Sequence, residues 1–130
     1  MKYASIILLL NLSINSSLNS QSTANSEMIK ITILYPNGED HTFDMDYYAT
    51  DHMPMIAEIY GPSMIKYEID QGMSGRSPGE PPAYLAIGYL YFEKVSDYTD
   101  KFGPNAERIL SDIPNYTNIQ PTVLISKVVH

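Results

Sequence analysis

The 130-residue sequence contains no cysteine. Disulfides, thiolate nucleophiles and cysteine metal sites are therefore excluded, and an exported form of the chain has to fold without cross-links. Positive charge is also scarce: 8 Lys and Arg stand against 15 Asp and Glu, a formal charge of −7. Nucleic-acid binding rests on Lys and Arg neutralising phosphates, so this balance argues against a nucleic-acid partner. It disfavours an anionic membrane surface for the same reason. No apolar run reaches the roughly 20 residues needed for a membrane span. There is no GxGxxG after the first strand, no GxxxxGK[ST] and no G-x-S-x-G, the motifs of dinucleotide, P-loop and serine-hydrolase chemistry. His41, His52 and His130 do not pair at helical or strand spacing, and no ligand quartet is visible. Neither a metal nor a cofactor is expected.

What is present starts with Lys2 and the apolar run ASIILLLNLSI, residues 4–14, followed by NSSLNSQSTANS, residues 15–26. A positive start, a short apolar segment and a small polar stretch read as a secretory signal peptide and linker. Cleavage is expected between Asn15 and Ser26, and the protein is expected to be exported, periplasmic or secreted. The other reading is a disordered or interfacial N-terminal segment. Without Lys2 the formal charge becomes about −8. The folded domain is assigned to residues 27–130.

From Met28 the pattern becomes regular. Ile29, Ile31, Ile33 and Tyr35 alternate with Lys30 and Thr32, a strand signature. PNGEDH, residues 36–41, is turn chemistry. Asp44 is placed to cap a helix, with Phe43 and Tyr48 spaced as a hydrophobic staple. Tyr48, His52, Met55, Ile56 and Ile59 share one face of that helix, and Gly61-Pro62 ends it. Ile65, Tyr67 and Ile69 alternate along a second strand, residues 64–73. A loop, residues 74–83, leads to YLAIGYLYF, residues 84–92, apolar on both faces. Ser96 is expected to cap a second helix that Gly103-Pro104 interrupts. Residues 122–129 form the last strand. The order β-α-β-β-α-β predicts an α+β, ferredoxin-like protomer: a four-stranded antiparallel sheet with two helices on one face. Leu85, Ile87, Tyr89 and Tyr91 alternate with Ala86 and Gly88, so one apolar set lies opposite the helices. Each such side chain is worth roughly 1.5–3 kcal/mol when taken out of water, which predicts a homodimer joined through the sheet.

His52 is the main candidate for chemistry, since its ordinary pKa suits proton transfer near neutral pH. Tyr48, one turn away, is expected to hydrogen-bond to it, and adjacent Asp51 points elsewhere. Pro54 lacks an amide hydrogen and biases Met53 away from helical geometry. The helix is therefore expected to bend or break over residues 50–53, opening a gap beside His52. The structural alternative is a histidine bonded to a carbonyl freed by the kink. Eleven tyrosines are many for this length. Tyr35, Tyr47, Tyr48, Tyr60, Tyr67, Tyr84, Tyr89 and Tyr91 fall on elements that can surround one cleft for a small aromatic molecule; packing is the alternative at each. Asn115-Tyr116-Thr117 matches a glycosylation sequon.

Four ordered stretches carry a resemblance: IKITILYPN, FDMDYYATDHMPM, GMSGRSPGEPPAYLAIGYLYF and FGPNAERILSDIPNYTNIQP. Together they resemble the EthD family of the dimeric α+β barrel superfamily, over about Met28 to Val129. The resemblance implies a ferredoxin-like protomer and a dimer whose sheets form a barrel. Members are often labelled reductases, and the family name comes from oxidative degradation of fuel ethers. Related families include monooxygenases needing no metal or flavin, isomerases and haem-handling proteins. By this resemblance Tyr47, Tyr48, His52 and Pro54 are carried over from the helix motif, and Asp112, Pro114, Asn115 and Tyr116 from the closing motif. The N-terminal extension departs from the family pattern. The resulting expectation is an exported small-molecule-binding protein, an oxidoreductase with His52 and Tyr48 as catalytic residues and Tyr35 and Tyr67 in the pocket. A non-catalytic carrier and a haem-binding protein are the alternatives.

Overall fold

The computed structural model describes residues 27–130. The expected signal peptide, its cleavage site and the polar linker lie outside the described residues. Four strands, β1 (Ile29–Pro36), β2 (Met64–Gln71), β3 (Tyr84–Phe92) and β4 (Thr122–Lys127), form one sheet in the order β2-β3-β1-β4. All neighbours are antiparallel. The first helical segment lies between β1 and β2, the second between β3 and β4. This is the ferredoxin-like α+β arrangement that the alternation of residues predicts.

Period-two patterning decides which face the helices cover. Ile29, Ile31 and Tyr35 of β1 and Ala86, Leu90 and Phe92 of β3 are buried against them. Ala86 and Gly88 let the first helical segment approach closely: an added Cβ at Gly88 would stand 2.2 Å from the Tyr48 hydroxyl. The opposite face carries Leu85, Ile87, Tyr89 and Tyr91, and it is less apolar than expected. Lys30 Nζ sits 5.4 and 5.5 Å from the ring centres of Tyr89 and Tyr91, and Lys66 Nζ sits 4.6 Å from Tyr91. These cation–π contacts partly shield the tyrosines. Burial and the nearby Glu68 push the Tyr91 hydroxyl up to about 12.

The first helical segment starts as read. The Asp44 carboxylate accepts from the Tyr47 amide at 3.0 Å, and Phe43 packs edge-on against Tyr48 at 5.1 Å. Pro54, however, does not break the helix. Residues Met45–Tyr47 (α1), a wide π turn at Tyr48–His52 and Met53–Tyr60 (α2) run on continuously. Met53 is helical, with φ −67° and ψ −36°, and its amide reaches back five residues to the Tyr48 carbonyl. The wide turn shifts the hydrogen-bond register, and Pro54 falls in the first turn of α2, where its fixed φ suits the helix. The Thr50 hydroxyl bonds the Asp46 carbonyl at 2.8 Å within the same turn. The extra residue turns both His52 and Met53 inward. Gly61, at φ 53°, closes α2 in the left-handed region.

The second helix, α3 (Val95–Asp112), also departs from expectation. Lys94 rather than Ser96 precedes it, with no side-chain cap, and Pro104 lies inside an unbroken helix. Pro104 is exposed, so the carbonyl it leaves without an amide partner can bond water, and the Asn105 side chain takes the Lys101 carbonyl at 2.8 Å.

Candidate functional site

Three elements converge on His52: the π turn, the C-terminal end of α3 with the turn Ile113–Asn115 behind it, and the end of β1. The π turn presents the imidazole, which is 4% exposed. Pro114 shapes the tight turn after α3, which delivers Asn115 and Tyr116. The segment beyond is tied to the loop before α1. Asp44 donates its amide to the Tyr116 carbonyl at 2.7 Å, and the Thr117 hydroxyl donates to the Thr42 carbonyl at 2.7 Å. Tyr116 and Thr117 are therefore buried, which leaves the sequon Asn115-Tyr116-Thr117 part of a packed joint.

Asp112 is the centre of the polar network. One carboxylate oxygen lies 2.8 Å from His52 Nδ1. The other accepts from the Tyr47 hydroxyl at 2.7 Å and from Asn115 Nδ2 at 2.9 Å. The carboxyl sits at the carbonyl end of α3, where the helix dipole disfavours negative charge. Partial burial works against its charge too, but hydrogen bonds from Tyr47, His52 and Asn115 outweigh it and hold the carboxyl below its ordinary value. Burial dominates at His52: it pushes the imidazole below its ordinary value, while Asp112 pulls the other way. The pair is then a neutral imidazole beside a carboxylate.

A carboxylate can only accept, so Nδ1 carries the imidazole proton and Nε2 carries the lone pair. Nε2 faces the Tyr116 hydroxyl at 3.4 Å, and that hydroxyl lies 2.7 Å from the Tyr35 hydroxyl. A single direction satisfies every donor: Tyr35 to Tyr116, Tyr116 to His52, His52 to Asp112. Tyr35 and Tyr116 are both raised above the ordinary phenol value, chiefly by burial, and stay protonated.

His52 and Tyr35 also line a cavity of about 90 Å³ between the helices and the sheet. Ile33, Ile56, Leu90, Phe102 and Ile109 are among the apolar residues of its wall, and no lining side chain is a carboxylate, lysine or arginine. This is a narrow slot rather than the wide tyrosine-lined cleft expected from sequence. Tyr60 borders it, whereas Tyr89 and Tyr91 lie on the other sheet face, and Tyr67 and Tyr84 do not line it. Tyr67 packs against the edge of the core on β2.

Tyr48 differs from expectation in its partner. Its ring stacks on His52, centres 5.5 Å apart and 16° from parallel. Its hydroxyl abuts Gly88 and has no hydrogen-bond partner among the described residues. The group that orients His52 is Asp112, sixty positions along the chain. The family resemblance names Asp112 from the closing motif, without linking it to the histidine. Asp51 does point away, and its carboxylate lies 2.6 Å from the Thr50 hydroxyl, which has one hydrogen to share between Asp51 and the Asp46 carbonyl.

These residues do not fit a haem. Both imidazole nitrogens face protein partners, and the slot is far smaller than a macrocycle. Among the described residues no group of three or more His, Asp or Glu side chains is placed to hold a metal ion, and no helix is long and apolar enough to cross a membrane.

No protein-family model matches the chain. It is 26% identical over 100 residues to an uncharacterised 11.0 kDa protein in the thcB–thcC intergenic region of Rhodococcus erythropolis, covering 76% of this chain and 93% of that one. An EthD family protein from Bacillus halodurans shares the fold, with a TM-score of 0.55 at 15% identity, over 78% of this chain and 99% of that one. The crystal structure of an EthD-like protein from Ralstonia eutropha superposes with a TM-score of 0.77 at 35% identity, over 80% of this chain and 94% of that one. That degree of identity across nearly all of a solved relative, on the same fold, shows that the chain belongs to the EthD-like family.

Proposed function

We propose that this protein binds a small, largely apolar molecule in the slot between helices and sheet and moves a proton to or from it through His52. One observation supports the reading above others: a buried, neutral imidazole, fixed in one tautomer by Asp112, forms part of the wall of an apolar cavity. Nε2 is the basic atom. When it takes a proton, the Asp112 carboxylate stabilises the resulting imidazolium without moving. Tyr116 extends the hydrogen-bond path from Nε2 to Tyr35, which lines the cavity. In the oxidoreductase reading that the resemblance implies, the electrons would pass between the bound molecule and a separate electron donor or acceptor, and His52 would carry only the accompanying proton.

A carrier that only shelters its ligand is the second reading. The small size of the cavity, about 90 Å³, favours it, because it leaves little room for a second reactant beside the ligand. Mass spectrometry of the protein from its native compartment identifies the ligand, and turnover of that ligand then separates the readings. His52→Gln should fold, keep the ligand and lose about 10²–10⁴-fold in rate. Full activity in a folded His52→Gln protein would rule out proton transfer at His52.

The homodimer and the export signal belong to the same proposal. The open sheet face, with Leu85, Ile87, Tyr89 and Tyr91, is the surface for a second copy. Export predicts that the mature protein has lost residues up to a point between Asn15 and Ser26; an intact Met1 on exported protein would contradict it.

A further inference from the structure

Tyr60, the last residue of α2, is 1% exposed and borders the same slot as His52. Its hydroxyl has no hydrogen-bond partner among the described residues. A buried polar group left unpaired is costly, and native structures rarely keep one without a reason. The ring is firmly held. Phe92 meets it edge-on at 5.0 Å and Tyr98 stacks on it at 5.9 Å. Lys101 and Ser63 both donate to its backbone carbonyl, at 3.0 and 2.8 Å. A swing of the side chain to find water would break this packing. The other unpartnered tyrosine hydroxyl, on Tyr48, abuts Gly88 and belongs to a residue that does not line the slot.

Building on the slot reading above, we propose that Tyr60 is a ligand-anchoring residue and that the slot takes an uncharged molecule, or the uncharged end of one, with a compact apolar body and one oxygen that accepts a hydrogen bond. No lysine, arginine or carboxylate side chain lines the wall and burial favours the neutral form of His52, so an ion would find no fixed counter-charge there. The volume of about 90 Å³ limits the body to a few heavy atoms. An engineered apolar cavity of about 150 Å³ is known to hold benzene, so the present one suits something smaller or a part of something larger. Burial raises the Tyr60 hydroxyl well above its ordinary value, chiefly by desolvation, so it is a donor throughout the working pH range.

The test uses cyclopentanone, cyclopentane and butyrate as probes on the whole protein, read by the NMR methyl shifts of Ile33, Ile56 and Ile109. Cyclopentanone should shift these methyls saturably, cyclopentane should bind about tenfold more weakly, and butyrate should not bind. Tyr60→Phe should weaken cyclopentanone about tenfold, to the level of cyclopentane, and leave cyclopentane unchanged. The variant should fold, since it only removes an unpaired hydroxyl, and its Tm should equal or exceed that of the parent. Equal binding of ketone and hydrocarbon, or a Tyr60→Phe variant that binds the ketone as before, overturns the anchor and leaves the slot intact. If no probe moves the three methyls, the slot reading fails and the anchor with it.

Discussion

Gly88 is the position where packing makes its sharpest demand. Its backbone is not in the left-handed region, so any penalty for a side chain there comes from space alone. A Cβ would lie 2.2 Å from the Tyr48 hydroxyl oxygen but 3.4 Å from the ring carbon that bears it. Tyr48 cannot easily retreat: it is fully buried and wedged against Tyr35, Phe43, Tyr116 and His52, with ring centres 5.0–5.5 Å away. Gly88→Ala should therefore cost about 1–3 kcal/mol, the usual scale of overpacking. Tyr48→Phe removes an oxygen that has no partner; relief of that buried group should make the change neutral or stabilising by up to about 1 kcal/mol. In the Tyr48→Phe background, alanine at 88 meets only an ordinary contact. Its cost should vanish or turn into a gain of about 0.5 kcal/mol from replacing glycine in a strand. The predicted coupling is about 1–3 kcal/mol, measured by urea unfolding of all four proteins as a double-mutant cycle. An equal cost of Gly88→Ala in both backgrounds would refute the reasoning, because the hydroxyl would then not be the obstacle. The same cycle bears on catalysis: an active Tyr48→Phe protein would remove Tyr48 from the acid–base machinery.

The acid limb of stability follows from the dyad. The folded pKa of His52 lies below its unfolded value, so its contribution is present above about pH 6.5 and is lost as pH falls through the folded value. Asp112 is also depressed, and its contribution is lost at still lower pH. Stability should thus fall in two stages on acidification, and His52→Gln should flatten the upper one in urea titrations between pH 7 and 5; an unchanged slope would contradict a depressed His52. Pro54→Ala should change stability by less than about 1 kcal/mol, because the proline occupies the first turn of α2; a loss of about 3 kcal/mol would mean that the proline itself maintains the π turn. Light scattering across micromolar dilution should find a dimer, and Tyr89→Glu with Ile87→Glu should dissociate it without unfolding. A stable monomer of the parent protein would remove the sheet face as its interface.

The strands, the helix-facing side of β1 and the Asp44 cap were legible because each depends on neighbours in the chain, whereas Ile65, read in line with Tyr67 and Ile69, is displaced by a bulge and stands 49% exposed. Ile29, Ile31 and Tyr35 alternate, and alternation has one reading on a sheet. Pro54 was not legible in the same way. A proline suits a kink and the first turn of a restarted helix equally well, and only the five-residue bond from Met53 to Tyr48 decides between them. Pro104 makes the same point: exposure allowed the helix to continue through it. At the site, His52 stood out as a lone histidine on a buried face. Its partnership with Asp112 depends on how α3 ends against the π turn, which no local spacing encodes. The tyrosines misled for a related reason. Their hydroxyls made them candidates for one cleft, but Tyr89 and Tyr91 project from the opposite side of the same strand that buries Ala86 and Leu90.

The central claim is that burial keeps His52 neutral while Asp112 fixes its tautomer, with the proton on Nδ1 and the lone pair on Nε2. Nitrogen-15 NMR of the imidazole, titrated from pH 8 to 5, tests it directly. The account predicts a neutral ring at pH 7 with a protonated Nδ1, a pKa below 6.5, and a further fall of that pKa in Asp112→Asn, where the carboxylate no longer favours the charged form. A ring charged at pH 7, or one with its proton on Nε2, would contradict it.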